Sequence, residues 1–315
     1  MKKHITTLST GIEPSPEFAK KGLAEYAVNV GTKCSHDCLY CSTGSSLRMH
    51  SSFKEAGESP FRFGYGIVDP DTPERVAREA GRLRNRGLVQ VCTTVDAWAP
   101  EAQDHQLGRR CLEAILSQPG WNVRVLTKNV AVQEDFDLIE KHRDRVLVGI
   151  SLTATPANET QMTVVEARAS RITERLAALM EAHRRGLRTY GMLCPLLPGI
   201  ADDYDSVSEL VEAYLAFGAE EIFVEPVNPR ASGLRLTQEA LLQDGFVREA
   251  ESVEKIRSWQ AWSDYCARLM GTVQQVMAEK RLLEKLRFLL YPGRLTDSDL
   301  QRIRANDAGV KWLGN

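Results

Sequence analysis

Nowhere in this 315-residue chain is there a run approaching the roughly 20 apolar residues that a membrane-spanning helix needs, so no span is expected. The lysines at positions 2 and 3 have no apolar segment behind them, which argues against a signal peptide or anchor and makes a cytoplasmic location the expectation. Charge of one sign is also lacking: Lys+Arg 40 against Asp+Glu 42 leaves -2, with a pI near 6.3, so no overall basic field gathers nucleic acid. The basic runs 82–87 and 183–188 read as solvated helix ends that stop at a glycine. There is no internal repeat, no low-complexity segment and no second C-x2-C pair. Cysteine itself is sparse, at positions 34, 38, 41, 92, 111, 194 and 266, and in a reducing compartment such residues point to metal or catalytic use rather than disulfides.

What is present is ordinary core-forming material, 43% hydrophobic and 26% charged, arranged as an alternation. AVNVG (27–31) reads as a short buried strand, followed by a long irregular stretch from Ser42 to about Asp71. Helices are predicted over 72–87, 104–118, 132–142, 169–186 and 204–218, the first with a Thr-Pro start and a Gly stop. Strands are predicted between them over 88–94, 121–128, 145–153, 187–196 and 219–227. Six strands interleaved with five helices imply right-handed crossovers and a parallel sheet. The fold expected is α/β, a partial (β/α)6 TIM-type barrel. After Thr237 strand signals stop, and residues 251–290 read as long, amphipathic and helical. The expected organisation is a leader over 1–24, a barrel core over 25–230 and a mainly helical C-terminal extension over 231–315.

The densest chemical signal is CSHDCLYC (34–41), with three thiols in eight residues just after the first strand, where parallel folds keep their ligand sites. Structural zinc takes four ligands, usually from paired C-x2-C elements, whereas three thiolates suffice for a [4Fe-4S] cluster and leave one iron open. His36 could serve as a fourth zinc ligand, but it reads better as an exposed loop residue. Cys92, Cys111 and Cys266 read as core packing. Cys194 ends the fifth strand beside Pro195 at the expected barrel mouth, where a thiol could return a hydrogen atom to a radical.

The C-x3-C-x2-C spacing resembles the radical S-adenosylmethionine (SAM) superfamily. Further stretches resemble its spore photoproduct lyase-like branch: TTVDAWAPEAQ (93–103), LTKN (126–129), SLT (151–153), EARASRITERLAAL (166–179) and LCPLLPGIADD (193–203). The resemblance spans roughly residues 25 to 230 and rests on the order of these motifs as much as on any one of them. It implies that Cys34, Cys38 and Cys41 bind the cluster and that its open iron chelates SAM. The reduced cluster would cleave SAM to a 5'-deoxyadenosyl radical that abstracts a hydrogen atom from a substrate. Thr94 and Asp96 would face the methionine end of SAM, Lys128 its carboxylate or ribose, and Ser151 its ribose hydroxyls, while Tyr40 would pack over the cluster or sugar. Where that branch has a relay tyrosine after the third cysteine this chain has Ser42, and Cys92 is one residue out of register with its hydrogen donor. Repair of a DNA photoproduct is therefore not carried over.

The resemblance further implies an electron donor such as flavodoxin or ferredoxin. Three readings of the whole remain at this point: a radical SAM enzyme acting on a nucleic acid, one acting on a peptide or small metabolite, and a non-catalytic zinc-binding scaffold. Arg48, Arg62, Tyr65, Trp98 and Arg230 are candidate substrate contacts by location.

Overall fold

The computed structural model describes residues 1–229 and 232–314. Four strands pair in parallel in chain order: β1 (Tyr26–Val28), β2 (Leu88–Val91), β3 (Asn122–Thr127) and β4 (Val146–Ile150). Arg188–Thr189 pairs with β4, and past Tyr190 the chain continues as β5 (Gly191–Leu196). Two backbone bonds hold this seam, from Tyr190 N to Val148 O and from Leu152 N to Met192 O, each 3.1 Å. The series runs on in parallel through β6 (Ile222–Pro226), β7 (Leu286–Leu290) and β8 (Val310–Trp312). Crossover helices cover the outside, which is why β4 is buried along its whole length and lacks the polar alternation of a half-exposed strand.

The α/β barrel expectation holds for the first six strands, and two parts of the pattern are corrected. Residues 251–290 are not one helical stretch, because the helix α2 (Trp259–Glu279) gives way to β7. Arg281 adopts φ 57, a left-handed conformation that ends the helix, and the apolar LRFLL that follows is too short for its periodicity to distinguish strand from helix. Nor is the 42–71 stretch irregular. It holds short helices and a strand, Tyr65–Val68, that pairs with Lys2–Ile5 on one side and Gly31–Lys33 on the other. Those last three residues belong to this small sheet, so the first barrel strand stops at Val28.

Among the described residues no backbone pairing closes β8 onto β1. The short helix α1 (Pro16–Lys21) fills the gap: Phe18 and Leu23 pack with Leu313, Tyr190, Met192 and Phe223 in one apolar cluster inside the barrel. Burying such a cluster stabilises the closure by about 1.5–3 kcal/mol per large side chain. The opposite mouth, at the C-terminal ends of the strands, stays open.

Candidate active site at the barrel mouth

The three cysteines sit on a loop that is clamped at both ends. The Asn29 side chain at the end of β1 accepts hydrogen bonds from the N–H groups of Thr93 and Thr94, at 3.0 and 2.9 Å, and so ties the first two strand ends together. Within the loop, Ser35 donates its N–H and its hydroxyl to the two oxygens of Glu101, at 2.8 and 2.5 Å, and Glu101 is buried. Asp37 takes φ 53 and accepts from Gly64 N at 2.8 Å, with Arg168 facing it at 3.4 Å. Leu39 N donates to Val165 O, and the Gly233 backbone lies so close that an added Cβ would stand 3.1 Å from Tyr40. Glu101 closes the DAWAPE stretch, but no sequence signal joins it to a cysteine loop 66 residues away.

The nine residues expected to hold the cluster and SAM or to act on the radical line one open cleft of about 180 Å³: Cys34, Cys38, Cys41, Tyr40, Thr94, Asp96, Lys128, Ser151 and Cys194. Lys128 Nζ donates to Cys194 O at 2.8 Å and to Ser151 Oγ at 3.1 Å, and lies 5.7 Å from the centre of the Tyr40 ring. Beneath it is Glu166, which accepts from the Tyr40 hydroxyl, from Arg175 and, at 3.1 Å, from Thr153, and which stands 3.7 Å from Lys128 Nζ. Burial pushes the Glu166 carboxyl up, but the Arg175 and Lys128 charges and these bonds outweigh it and hold it at about 2. Sequence reasoning did not single out this pair. The Asp96 carboxylate accepts from Thr127 Oγ1, Trp98 N and Lys128 N at 2.8–2.9 Å, so it braces the strand ends that carry Thr94 and Lys128.

Deeper in the cleft the Cys194 thiol donates to Glu225 at 3.4 Å, and Lys21 on α1 reaches the same carboxylate at 3.8 Å. Burial, then the Glu225 charge, push the Cys194 thiol far up, so it stays protonated at neutral pH. Cys92, Cys111 and Cys266 are buried, although Cys92 also touches the cleft wall and adopts φ 70. The expectation of an exposed His36 is corrected: the ring is buried, 3.5 Å from Asp96 and 3.4 Å from Asn129, because the loop folds inward over the β2 and β3 ends. Trp98 and Tyr65 are buried too, with Trp98 Nε1 donating to Asp135 at 2.8 Å. Arg48 and Arg62 lie on the outer surface, and Arg230 falls outside the described residues.

A family model described as the Radical SAM superfamily matches residues 28–211, more than half of the chain. The chain belongs to the radical SAM superfamily. Curated relatives include an uncharacterised protein of Acidianus two-tailed virus, 24% identical over 69% of this chain and 71% of that one. Others are uncharacterised proteins of Methanocaldococcus jannaschii (22%, covering 57% and 63%) and of Mycobacterium tuberculosis strain H37Rv (24%, covering 66% and 60%), so this chain spans less than two thirds of these two. Among solved structures, spore photoproduct lyase complexed with dinucleoside spore photoproduct matches at TM-score 0.59 and 15% identity, over 88% of this chain and 79% of that one. A variant of the same lyase with bound AdoMet and the dinucleoside matches at 0.56 and 14%, over 87% and 78%. At such identities the likeness is one of fold.

Radical SAM enzymes use a [4Fe-4S] cluster and SAM, and the donor set here fits that pair. Burial, then the neighbouring Cys41, raise the Cys34 thiol to about 12, and burial, then the Glu166 charge, push Cys38 well above its ordinary value. Such thiols become thiolates only when a strongly positive centre arrives to bind them. Among the described residues no three His, Cys, Asp or Glu side chains converge as ligands of a single ion would. An iron-sulfur cube does not require convergence, since each thiolate meets a different iron. Glu101→Ala, which releases both Ser35 donors, is expected to weaken cluster retention by about 10–100-fold, the usual cost of losing a supporting partner. Iron remaining per chain after desalting, at unchanged circular dichroism, checks this.

Proposed function

We propose that this radical SAM enzyme holds its cluster on Cys34, Cys38 and Cys41 and binds SAM across the β2 to β5 strand ends. The observation that carries the reading is the convergence of those cysteines with Thr94, Lys128, Ser151 and Cys194 on one cleft. When bound, the two cofactors supply one-electron cleavage of the sulfonium and, with it, hydrogen-atom abstraction from a substrate. The chain's own residues do the rest. Lys128 offers a fixed ammonium to the SAM carboxylate or ribose, its position set by the Tyr40 face and by Glu166. Ser151, whose hydroxyl donates to Cys194 O at 2.9 Å, would offer its oxygen to the ribose, and Thr94 would face the methionine end on a loop that Asp96 braces.

Cys194 is the hydrogen-atom donor in this reading. A donor must carry its hydrogen, and burial beside Glu225 keeps the thiol protonated. Its S–H passes one hydrogen atom to a product radical, and the unpaired electron stays on sulfur. Tyr40 acts on the reaction through Lys128, which it steers by its ring. Lys128→Met keeps the length of the side chain and removes its charge; SAM affinity by calorimetry is expected to fall about 10-fold or more, the scale of one lost charge-assisted contact.

Nucleic acid is the first substrate class to test, because the lyase of similar fold was solved with a dinucleoside. The near-neutral charge of -2 favours the second reading, a peptide or small metabolite. Salt dependence of substrate binding separates them, since phosphate contacts give a steep slope. An electron donor is required, and among the described residues no helix is long and apolar enough to cross a membrane. The test of the reading is to incubate reduced enzyme and SAM with deuterated candidate substrates. Deuterium in 5'-deoxyadenosine identifies the substrate, whereas failure of any tried class to transfer label while SAM is cleaved rejects that class.

A further inference from the structure

The cysteine loop has a second face, turned away from the barrel. There a small cavity of about 50 Å³ is lined by Cys34, Cys38 and Cys41 and by Pro60, Phe61 and Phe63. Phe61 and Phe63 line that cavity and are 45% and 37% exposed, and Cys41 is itself exposed, so the thiols here lie close to solvent. Met49, earlier on the same segment, is 87% exposed.

The charge on this side of the loop is mostly basic: Arg48, Lys54 and Arg62 on the 42–63 segment are exposed, and Arg168 pairs with Asp37, the acidic residue in the cavity lining. Lys33 adds a half-buried ammonium 5.4 Å from the Phe63 ring. Between residues 42 and 63 the acidic side chains are Glu55, which is exposed, and Glu58, which is buried and faces Lys2, His4 and Arg62. A basic, partly aromatic patch on a chain whose net charge is -2 is a local feature with its own purpose.

The geometry points to this side of the loop as the docking face for the reductant, a small acidic one-electron carrier. The inference rests on the radical SAM reading, in which one electron leaves the carrier, enters the oxidised cluster, and no bond forms or breaks. Electron transfer falls off steeply with distance, so a carrier is best placed where the three thiols lie close to solvent. Basic residues steer an acidic partner into place, and apolar residues at the centre of the patch make a short-lived contact of the small size common to redox encounters.

The test uses reconstituted enzyme and reduced flavodoxin as the probe, with the variants Phe61→Ser/Phe63→Ser and Arg48→Glu/Arg62→Ala. Flavodoxin binding is read by calorimetry across a salt series, and cluster reduction is followed by its visible absorbance. Both variants are expected to bind flavodoxin about 10-fold more weakly or worse, and the charge variant to show a flatter salt dependence, on the scale of lost steering. Reduction and SAM cleavage driven by dithionite, which needs no docking, should match the parent. Parental binding and reduction rates in both variants would overturn the proposal, and so would loss of dithionite-driven cleavage, which would assign this face to the catalytic chamber. If the unaltered enzyme binds flavodoxin at the patch but gives no cleavage with dithionite, the radical SAM reading of the site fails while the docking face stands.

Discussion

Cys38→Ala is expected to leave a folded protein that holds little iron and does not cleave SAM. Cys38 is the middle thiol of the loop and is 9% exposed, so alanine removes a donor without opening the surface. Two thiolates remain for a cluster that already leaves one iron unclaimed by protein, and a half-held cube is lost to solvent. The loop itself should persist, because its clamps are the Ser35 to Glu101 bonds, the Asp37 to Gly64 bond and the Leu39 to Val165 bond, none of which uses a cysteine side chain. Loss of a direct ligand should exceed the cost of losing a supporting residue, so dithionite-driven cleavage is expected to fall by more than about 100-fold. Iron and sulfide per chain, visible absorbance and circular dichroism on the same sample separate this from unfolding.

Arg175→Met is expected to be the most destabilising single change at the site. The guanidinium is 1% exposed, donates to Glu166, and also holds the carbonyls of Ser170 and Ser151 at 2.7 and 3.1 Å. Removing it strands a buried carboxylate whose remaining cation, Lys128, is 3.7 Å away, a situation that costs about 3–5 kcal/mol. Adding Glu166→Gln to Arg175→Met removes the stranded charge and should recover part of that loss, as a double-mutant cycle in urea would show. The same pair sets an acid dependence. The Glu166 carboxyl falls from its ordinary 4.5 to about 2 on folding, so its contribution is fully present above about pH 5 and is lost as pH falls toward 2. Urea midpoints of the parent should decline over that window, and those of Glu166→Gln should decline less.

The sequence carried the barrel because crossover helices leave plain marks, such as Thr72 and Pro73 opening one helix and Gly186 closing another. It did not carry β7, because LRFLL follows a long helical pattern and, with five residues of which four are apolar, shows no period of its own. Nor did it carry the sheet formed by Lys2–Ile5, Gly31–Lys33 and Tyr65–Val68, whose strands are three or four residues long and pair with partners distant in sequence, Lys2 with Tyr65 and Gly31 with Val68. In the cleft, motif residues were legible because they line one surface in chain order. The supporting roles were not: Glu101, Glu166 and Arg175 fall within the motif stretches, but what they hold depends on burial against neighbours distant in sequence, and nothing in the sequence marks Glu225 beside Cys194.

The most direct measurement is made on the unaltered chain. After anaerobic reconstitution with iron and sulfide, iron, acid-labile sulfide and zinc are counted per chain, and dithionite and SAM are then added while 5'-deoxyadenosine is followed. A brown protein with about four irons and about four sulfides that releases 5'-deoxyadenosine is the expected result. A colourless protein that binds one zinc per chain, takes up no sulfide and leaves SAM intact would contradict it.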